Sequence, residues 1–179
     1  MKVKFLGIAL LLISTLSSAQ SDSSEIRQNF HRLGVMVSTA NGVGFSFKYT
    51  VKDKDQFQLV ALPIAVDSYN YFNVGGNYYR KFINTKNFDV LFYTGLNWSL
   101  RQDKYTDYFW NGDTYVEENG LQNDHNINGS LGFAFEAGPS EFFKFTFHLG
   151  YAAYDFIEDI STYPAVGVGL EFAIDGLLK

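Results

Sequence analysis

The chain has 179 residues, a formal net charge of −5 and no cysteine. Its acidic balance argues against a nucleic-acid partner, and the lack of cysteine removes disulfides, thiolate chemistry and zinc–thiolate sites together. Twelve Tyr and 18 Phe stand beside 16 Gly and only 3 Pro, a balance that favours strands packed closely in a curved sheet.

Taken in chain order, Lys2 and Lys4 form a short basic segment, Phe5 to Ile13 an apolar core, and Ser17, Ser18 and Ala19 a small-residue end. This is the pattern of a secretory signal peptide over residues 1–19. The apolar core is too short to span a bilayer as a helix, and no charge-free stretch of about 18 residues follows it. Cleavage after Ala19 would remove two of the 14 basic residues and leave the 19 acidic ones, a net charge of −7. Residues 20–30 are predicted to be a periplasmic lead-in, because Ser21 to Asn29 is mostly polar with no sustained period. Residues 31–179 then form one β domain.

Eight alternating stretches recur between turn signals. The first, Arg32 to Ser38, sets Leu33, Val35 and Val37 on one face. After Asn41-Gly42 the second places Val43, Phe45, Phe47, Tyr49 and Val51 on one face and Lys48 on the other. The third, Gln56 to Val66, is ambiguous, since Val60, Leu62 and Ile64 oppose Phe57, Leu59 and Ala61, and Pro63 weakens it as a strand. The fourth, Tyr71 to Phe82, sets Phe72, Val74, Gly76 and Tyr78 against Asn73, Gly75, Asn77 and Tyr79. In the fifth, Val90, Phe92, Thr94, Leu96, Trp98 and Leu100 alternate with a face that runs from Asp89 to Arg101. A long polar and aromatic loop, roughly Gln102 to Asn126, is predicted next. The sixth stretch sets Ile127, Leu131, Phe133 and Phe135 against Asn128, Ser130, Gly132, Ala134 and Glu136. Beyond the turn Gly138–Glu141, the seventh sets Phe143, Phe145, Phe147, Leu149 and Tyr151 against Lys144, Thr146, His148, Gly150 and Ala152. A loop over Asp155 to Thr162 leads to the eighth, with Val166, Val168, Leu170, Phe172 and Ile174 opposite Gly167, Gly169, Glu171, Ala173 and Asp175.

A water-soluble barrel should turn its large apolar residues inward and its charges outward. Here the face opposite Phe, Leu and Val is built of Gly, Ala, Ser, Thr and Asn with single charges of both signs. Small residues and sparse charges suit the narrow interior of an eight-stranded barrel, and large apolar residues suit lipid, where the sheet must close to satisfy its backbone. The expected fold is therefore all-β, an eight-stranded antiparallel up-and-down transmembrane β-barrel. The alternative is a soluble periplasmic barrel that binds an apolar ligand in its cavity.

By this pattern, and by its Phe/Tyr/Gly balance, the chain from Arg32 to Asp175 resembles the small outer-membrane barrels of the OmpA-domain and OmpX type and the barrel proteins of Bacteroidetes. The resemblance implies a place in the bacterial outer membrane among its lipid and lipopolysaccharide, and insertion by the barrel assembly machinery. It also implies a non-enzymatic structural or binding role. Such barrels usually end on an aromatic residue, whereas this chain continues past Phe172 through Asp175-Gly176-Leu177-Leu178-Lys179.

Lys48, Arg101, Glu136, Lys144, His148 and Glu171 are predicted to share the lumen as a polar network, because an unpaired charge in a dry interior is costly. The network either holds the barrel together or passes protons or ions. In the long loop, Asp107, Trp110, Asp113, Glu117 and Glu118 are candidates for binding a cation, a glycan or another protein, against the plainer reading of a solvated loop. Their spacing matches no calcium loop, and no metal or cofactor is expected. A lipid-modifying enzyme is the other alternative. It would need a histidine at the outer rim beside a serine, or an Asp-Ser pair such as Asp67-Ser68, but His31 should lie at the opposite rim and His148 lies between Phe147 and Leu149.

Overall fold

The computed structural model describes residues 30–51, 54–66, 69–85, 88–110, 112–140, 142–156 and 160–174. The expected signal peptide, most of the lead-in, Asp67-Ser68 and the segment Asp175–Lys179 lie outside the described residues.

The eight strands are β1 Phe30–Ser38, β2 Gly42–Val51, β3 Asp55–Val66, β4 Tyr69–Asn84, β5 Phe88–Trp110, β6 Tyr115–Ser140, β7 Phe143–Tyr154 and β8 Ser161–Ala173. Each pairs antiparallel with the next, and β8 returns to β1 through Arg32↔Ala173 to Ser38↔Gly167, which closes the sheet into a ring. Alternation then sorts the side chains. Leu33, Val35, Phe45, Phe57, Leu59, Leu96, Leu131, Phe133, Phe147, Leu149, Val168 and Leu170 point outward and are exposed, Phe45 at 70% and Leu96 at 63%. The neighbours Arg32, Met36, Ser46, Lys48, Gln58, Asn97, Ser130, Glu136, Thr146, His148 and Glu171 point inward and are buried.

The ambiguous third stretch follows the same rule, with Gln56, Gln58 and Val60 inward and Phe57 and Leu59 outward. Beyond the pair Phe45↔Ala61, β3 has no partner in β2. Pro63 thus sits on a sheet edge, where a missing N–H is tolerated.

The largest departure from expectation is the predicted loop Gln102–Asn126, of which Gln102–Trp110 and Tyr115–Asn126 are strand. β5 and β6 pair without interruption from Phe88↔Ala137 to Trp110↔Tyr115, and the hairpin turns only after Trp110. Gly112, with φ +105°, takes a backbone conformation there that suits glycine. Hydrophobic alternation is absent because neither face of this ribbon is packed against a core. The ladder itself holds it, helped by cross-strand bonds from Gln102 Nε2 to Asn123 Oδ1 at 2.8 Å and from Thr106 Oγ1 to Asn119 Oδ1 at 2.7 Å. β8 likewise begins at Ser161, opposite Tyr154, so the expected loop to Thr162 is shorter.

The barrel is lopsided at the end that carries this ribbon. β3 and β4 run on to Val66↔Tyr69, and β4 leaves β5 at Tyr69↔Asp103. Seven further β5–β6 pairs, from Lys104↔Leu121 upward, project about 20 Å at the usual rise per residue. On the low side, the β1–β2 turn folds into the mouth. Ala40 packs against Ala152 and Ala165, and Asn41 is fully buried with its Oδ1 accepting from the Ser130 hydroxyl. Gly42, at φ +99°, makes that inward tuck. The β7–β8 loop goes the other way: Phe156 N donates to Ile127 O, and its ring lies over Gly129 on the outer wall, where a Cβ would stand 2.8 Å from the ring.

Candidate functional site: a polar lumen and a projecting ribbon

Two regions carry chemistry, the interior and the ribbon. In the interior, Lys48 of β2 is fully buried, and its Nζ lies 2.8 Å from Glu136 Oε1 of β6 and 2.8 Å from Glu171 Oε1 of β8. Arg32 Nη1 approaches Glu136 Oε2 at 3.8 Å. One carboxamide donates to each anion: Gln56 Nε2 to Glu136 Oε2 at 3.2 Å and Gln58 Nε2 to Glu171 Oε1 at 2.8 Å. Gln58 Oε1 in turn accepts from the Tyr79 hydroxyl and from Asn77 Nδ2. The Tyr79 hydroxyl lies 3.2 Å from His148 Nε2, and the Tyr79 ring lies under Lys48 Nζ at 4.7 Å. His148 packs between Tyr79 and Tyr93, with ring centroids 5.6 and 5.1 Å away. One cation thus bridges two anions, each of which also accepts from one glutamine, while Glu171 Oε2 accepts no hydrogen bond among the described residues.

Of the six predicted lumen residues, Lys48, Glu136 and Glu171 are brought into direct contact, and His148 joins them through Tyr79. Lys144 is buried and faces Glu171 across the β7–β8 ladder. Arg101 is not part of this cluster. It lies above the mouth with its side chain 57% exposed, its Nε 2.8 Å from Asp103 Oδ2 and its guanidinium over the Tyr69 ring. Inward parity put it on the right face, but β5 outruns the barrel, so the inward face there looks onto open space. Sequence reasoning missed Arg32, Gln56, Gln58, Tyr79 and the buried Asp89, which pairs with Lys81 at 3.0 Å. The inward parity of Tyr79 and Asp89 was available; the glutamines were hidden by the mixed period of β3.

Above this cluster a second polar layer closes the mouth. Asn73 and Asn97 exchange side-chain bonds at 3.1 and 3.2 Å, and Asn41, Ser130 and Gly95 fill the space beside them. The interior is packed and polar.

The five ribbon candidates divide between faces. Asp107 and Glu118 are directly opposed on the face continuous with the lumen, and Trp110 stacks edge-on against Tyr115 on the other, with centroids 5.2 Å apart. Glu117 shares the Trp110 face and accepts from Asn119 Nδ2, and Asp113 sits in the turn beside Gly112. The three histidines lie far apart in the fold. His31 stacks on Tyr49 outside, His125 stacks on Trp98 outside, and His148 is inside. Among the described residues no cluster of His, Cys, Asp and Glu has the arrangement of a metal site.

Outside the barrel, aromatic rings gather at two levels. Phe88 with Phe135, and Phe142 and Phe143 with Phe172, mark the end where β1 begins and β8 ends. Phe72 with Trp98 and His125 mark the other.

No protein-family model and no curated protein matches the chain. Among solved structures it is similar to the N-terminal β-barrel domain of Pseudomonas aeruginosa OprF, at 15% identity over 80% of this chain and 96% of that one, TM-score 0.44. It is also similar to Ail, the attachment invasion locus protein of Yersinia pestis, at 9% identity over 81% of this chain and 97% of that one, TM-score 0.45. A third similarity is to Neisserial surface protein A, at 11% identity over 80% of this chain and 94% of that one, TM-score 0.38.

Proposed function

We propose that this chain is a non-enzymatic transmembrane β-barrel of a bacterial outer membrane, with a closed polar lumen and a binding role carried by its projecting β5–β6 ribbon. One observation carries the reading: the polarity of the barrel is inverted relative to a protein in water. Between the Asp55–Arg80 pair near one rim and the Gln102–Asn123 pair at the other, the outward positions are apolar, aromatic, small or hydroxylic apart from His31 and His125, whose rings stack on Tyr49 and Trp98. The charges Arg32, Lys48, Glu136, Lys144 and Glu171 are inside. A contiguous apolar belt of this extent far exceeds the patches that soluble monomers expose, and hydrocarbon removes its cost, with each half-exposed large side chain contributing on the order of 1 kcal/mol on insertion. Closure of β8 on β1 satisfies the backbone that lipid cannot, and the two aromatic levels match the interfacial girdles of such barrels. On this reading the chain is surrounded by outer-membrane lipid and lipopolysaccharide and is inserted by the assembly machinery that serves barrels generally.

The test is fractionation with single-cysteine labelling, which the absence of native cysteine makes clean. The full-length protein should partition with outer membranes and migrate differently on gels before and after heating. An environment-sensitive probe at Phe133→Cys or Phe147→Cys should be quenched by a lipid-chain quencher, and one at Thr146→Cys should not. Recovery in the soluble periplasm, or equal quenching on both faces, refutes the proposal.

A further inference from the structure

The taller wall of the barrel, β3 to β6 above the mouth, turns a concave face toward the barrel axis. Inward parity carries into it unbroken, so the side chains that would line a lumen lower down stand here half-buried, as Tyr69, Tyr71 and Asp103 do, or exposed, as Arg101, Tyr105 and Asp124 do. Tyr69 and Tyr71 of β4 lie side by side with ring planes 6° apart and centroids 6.4 Å apart. Arg101 caps Tyr69 at 5.7 Å and is held by Asp103. One step further up β5, the Tyr105 ring lies flat across the backbone of β6 at Gly120, where a Cβ would stand 2.3 Å from the ring. Only the missing side chain at 120 lets that ring lie down. Asp124 faces Arg101 across the β5–β6 ladder. Below, the Asn41–Asn73–Asn97 layer forms a floor, and the low β1–β2 turn leaves the face unobstructed on that side.

We propose that this inward face, built from Tyr69, Tyr71, Arg101, Asp103, Tyr105 and Asp124, binds a neutral oligosaccharide. The inference rests on the reading of the ribbon end as the exposed end of a membrane barrel. It moves the binding surface from the ribbon tip to the concave wall and names its ligand class. A sugar ring has one face of polarised C–H groups and a rim of hydroxyls that both donate and accept. The flat tyrosine rings offer π faces to the former. The fixed Arg101–Asp103 pair, with Asp124 beside it, offers planar donors and acceptors to the latter. Charge decides against anionic ligands: on this face Arg101 stands against Asp103, Asp107, Glu118 and Asp124. A phosphorylated or sulfated glycan, or a nucleic acid, would meet net repulsion. The separation of the three rings spans adjacent strands, the scale of a short oligosaccharide rather than of a single sugar.

The experiment uses the full-length chain, folded in detergent micelles and checked by heat-modifiable migration, on an array of neutral gluco-, manno-, galacto- and N-acetylglucosamine oligosaccharides with sulfated and sialylated controls. Binding to at least one neutral series and none to the anionic controls is expected. Tyr105→Ala and Tyr69→Ala should each weaken that binding by about tenfold, the loss of one stacking platform. Tyr105→Phe should retain most of it, and Gly120→Ala, which deletes nothing but tilts the ring, should weaken it. Tyr108→Ala, on the opposite face of the ribbon, should leave it unchanged. A heat-modifiable, folded protein that binds no neutral glycan overturns the proposal while the barrel reading stands. So does binding to anionic glycans or to a protein that persists in Tyr105→Ala. A chain that fails to enter membranes overturns the barrel reading instead.

Discussion

Replacement of Lys48 by methionine should destabilise the barrel severely, and the structure sets the scale. Methionine keeps the volume and removes the one charge that lies 2.8 Å from both Glu136 and Glu171. Near the two carboxylates there remain Arg32 at 3.8 Å from Glu136, the buried Lys144 that faces Glu171 across the β7–β8 ladder, and one carboxamide donor each from Gln56 and Gln58. Breaking a buried pair by deleting one partner costs about 3–5 kcal/mol, because the other charge is left uncompensated. With a urea slope of about 1–3 kcal/mol per molar, the unfolding midpoint should fall by roughly 1–5 M. The assay is urea unfolding of protein refolded into lipid vesicles, read in parallel by fluorescence of Trp98 and Trp110 and by gel mobility. A variant whose midpoint lies within about 0.3 M of the parent would refute the account of a dry, charge-paired lumen.

Two further outcomes follow from the same geometry. Leu96→Arg, mid-strand on the outward face, should cost about 2–4 kcal/mol in vesicles, whereas Asn97→Ser, one residue on, should cost about 1 kcal/mol for weakening its exchange with Asn73; equal costs would contradict the assigned faces. In planar bilayers the protein should give no stable open-channel steps, because Tyr79, Tyr93, Lys48 and His148 fill the bore and the β1–β2 turn closes the mouth; reproducible steps abolished by a substitution at Asn41 would show that the turn is a gate instead.

Strand number, strand order and the side chains on each barrel face were written in the two-residue period. Leu96 and Asn97, or Phe147 and His148, could be assigned to opposite environments without coordinates, because neighbouring side chains on a strand must point opposite ways. That rule also made Lys48, Glu136, Lys144, His148 and Glu171 inward residues. It could not say which of them meet, since contact across a closed ring depends on register and shear, and those follow from how eight strands stack. Nor could it place Gln56 and Gln58, whose strand carries apolar residues on both faces. The period failed altogether at Gln102–Asn126, where no burial imprints an alternation, and strand there is held by the ladder that β5 and β6 had already begun lower down. The fate of Arg101 shows the same division. Its sequence position fixed the direction of its side chain, but only the tertiary structure, by ending the barrel wall before the strand ends, decided that this direction leads to solvent rather than to a lumen.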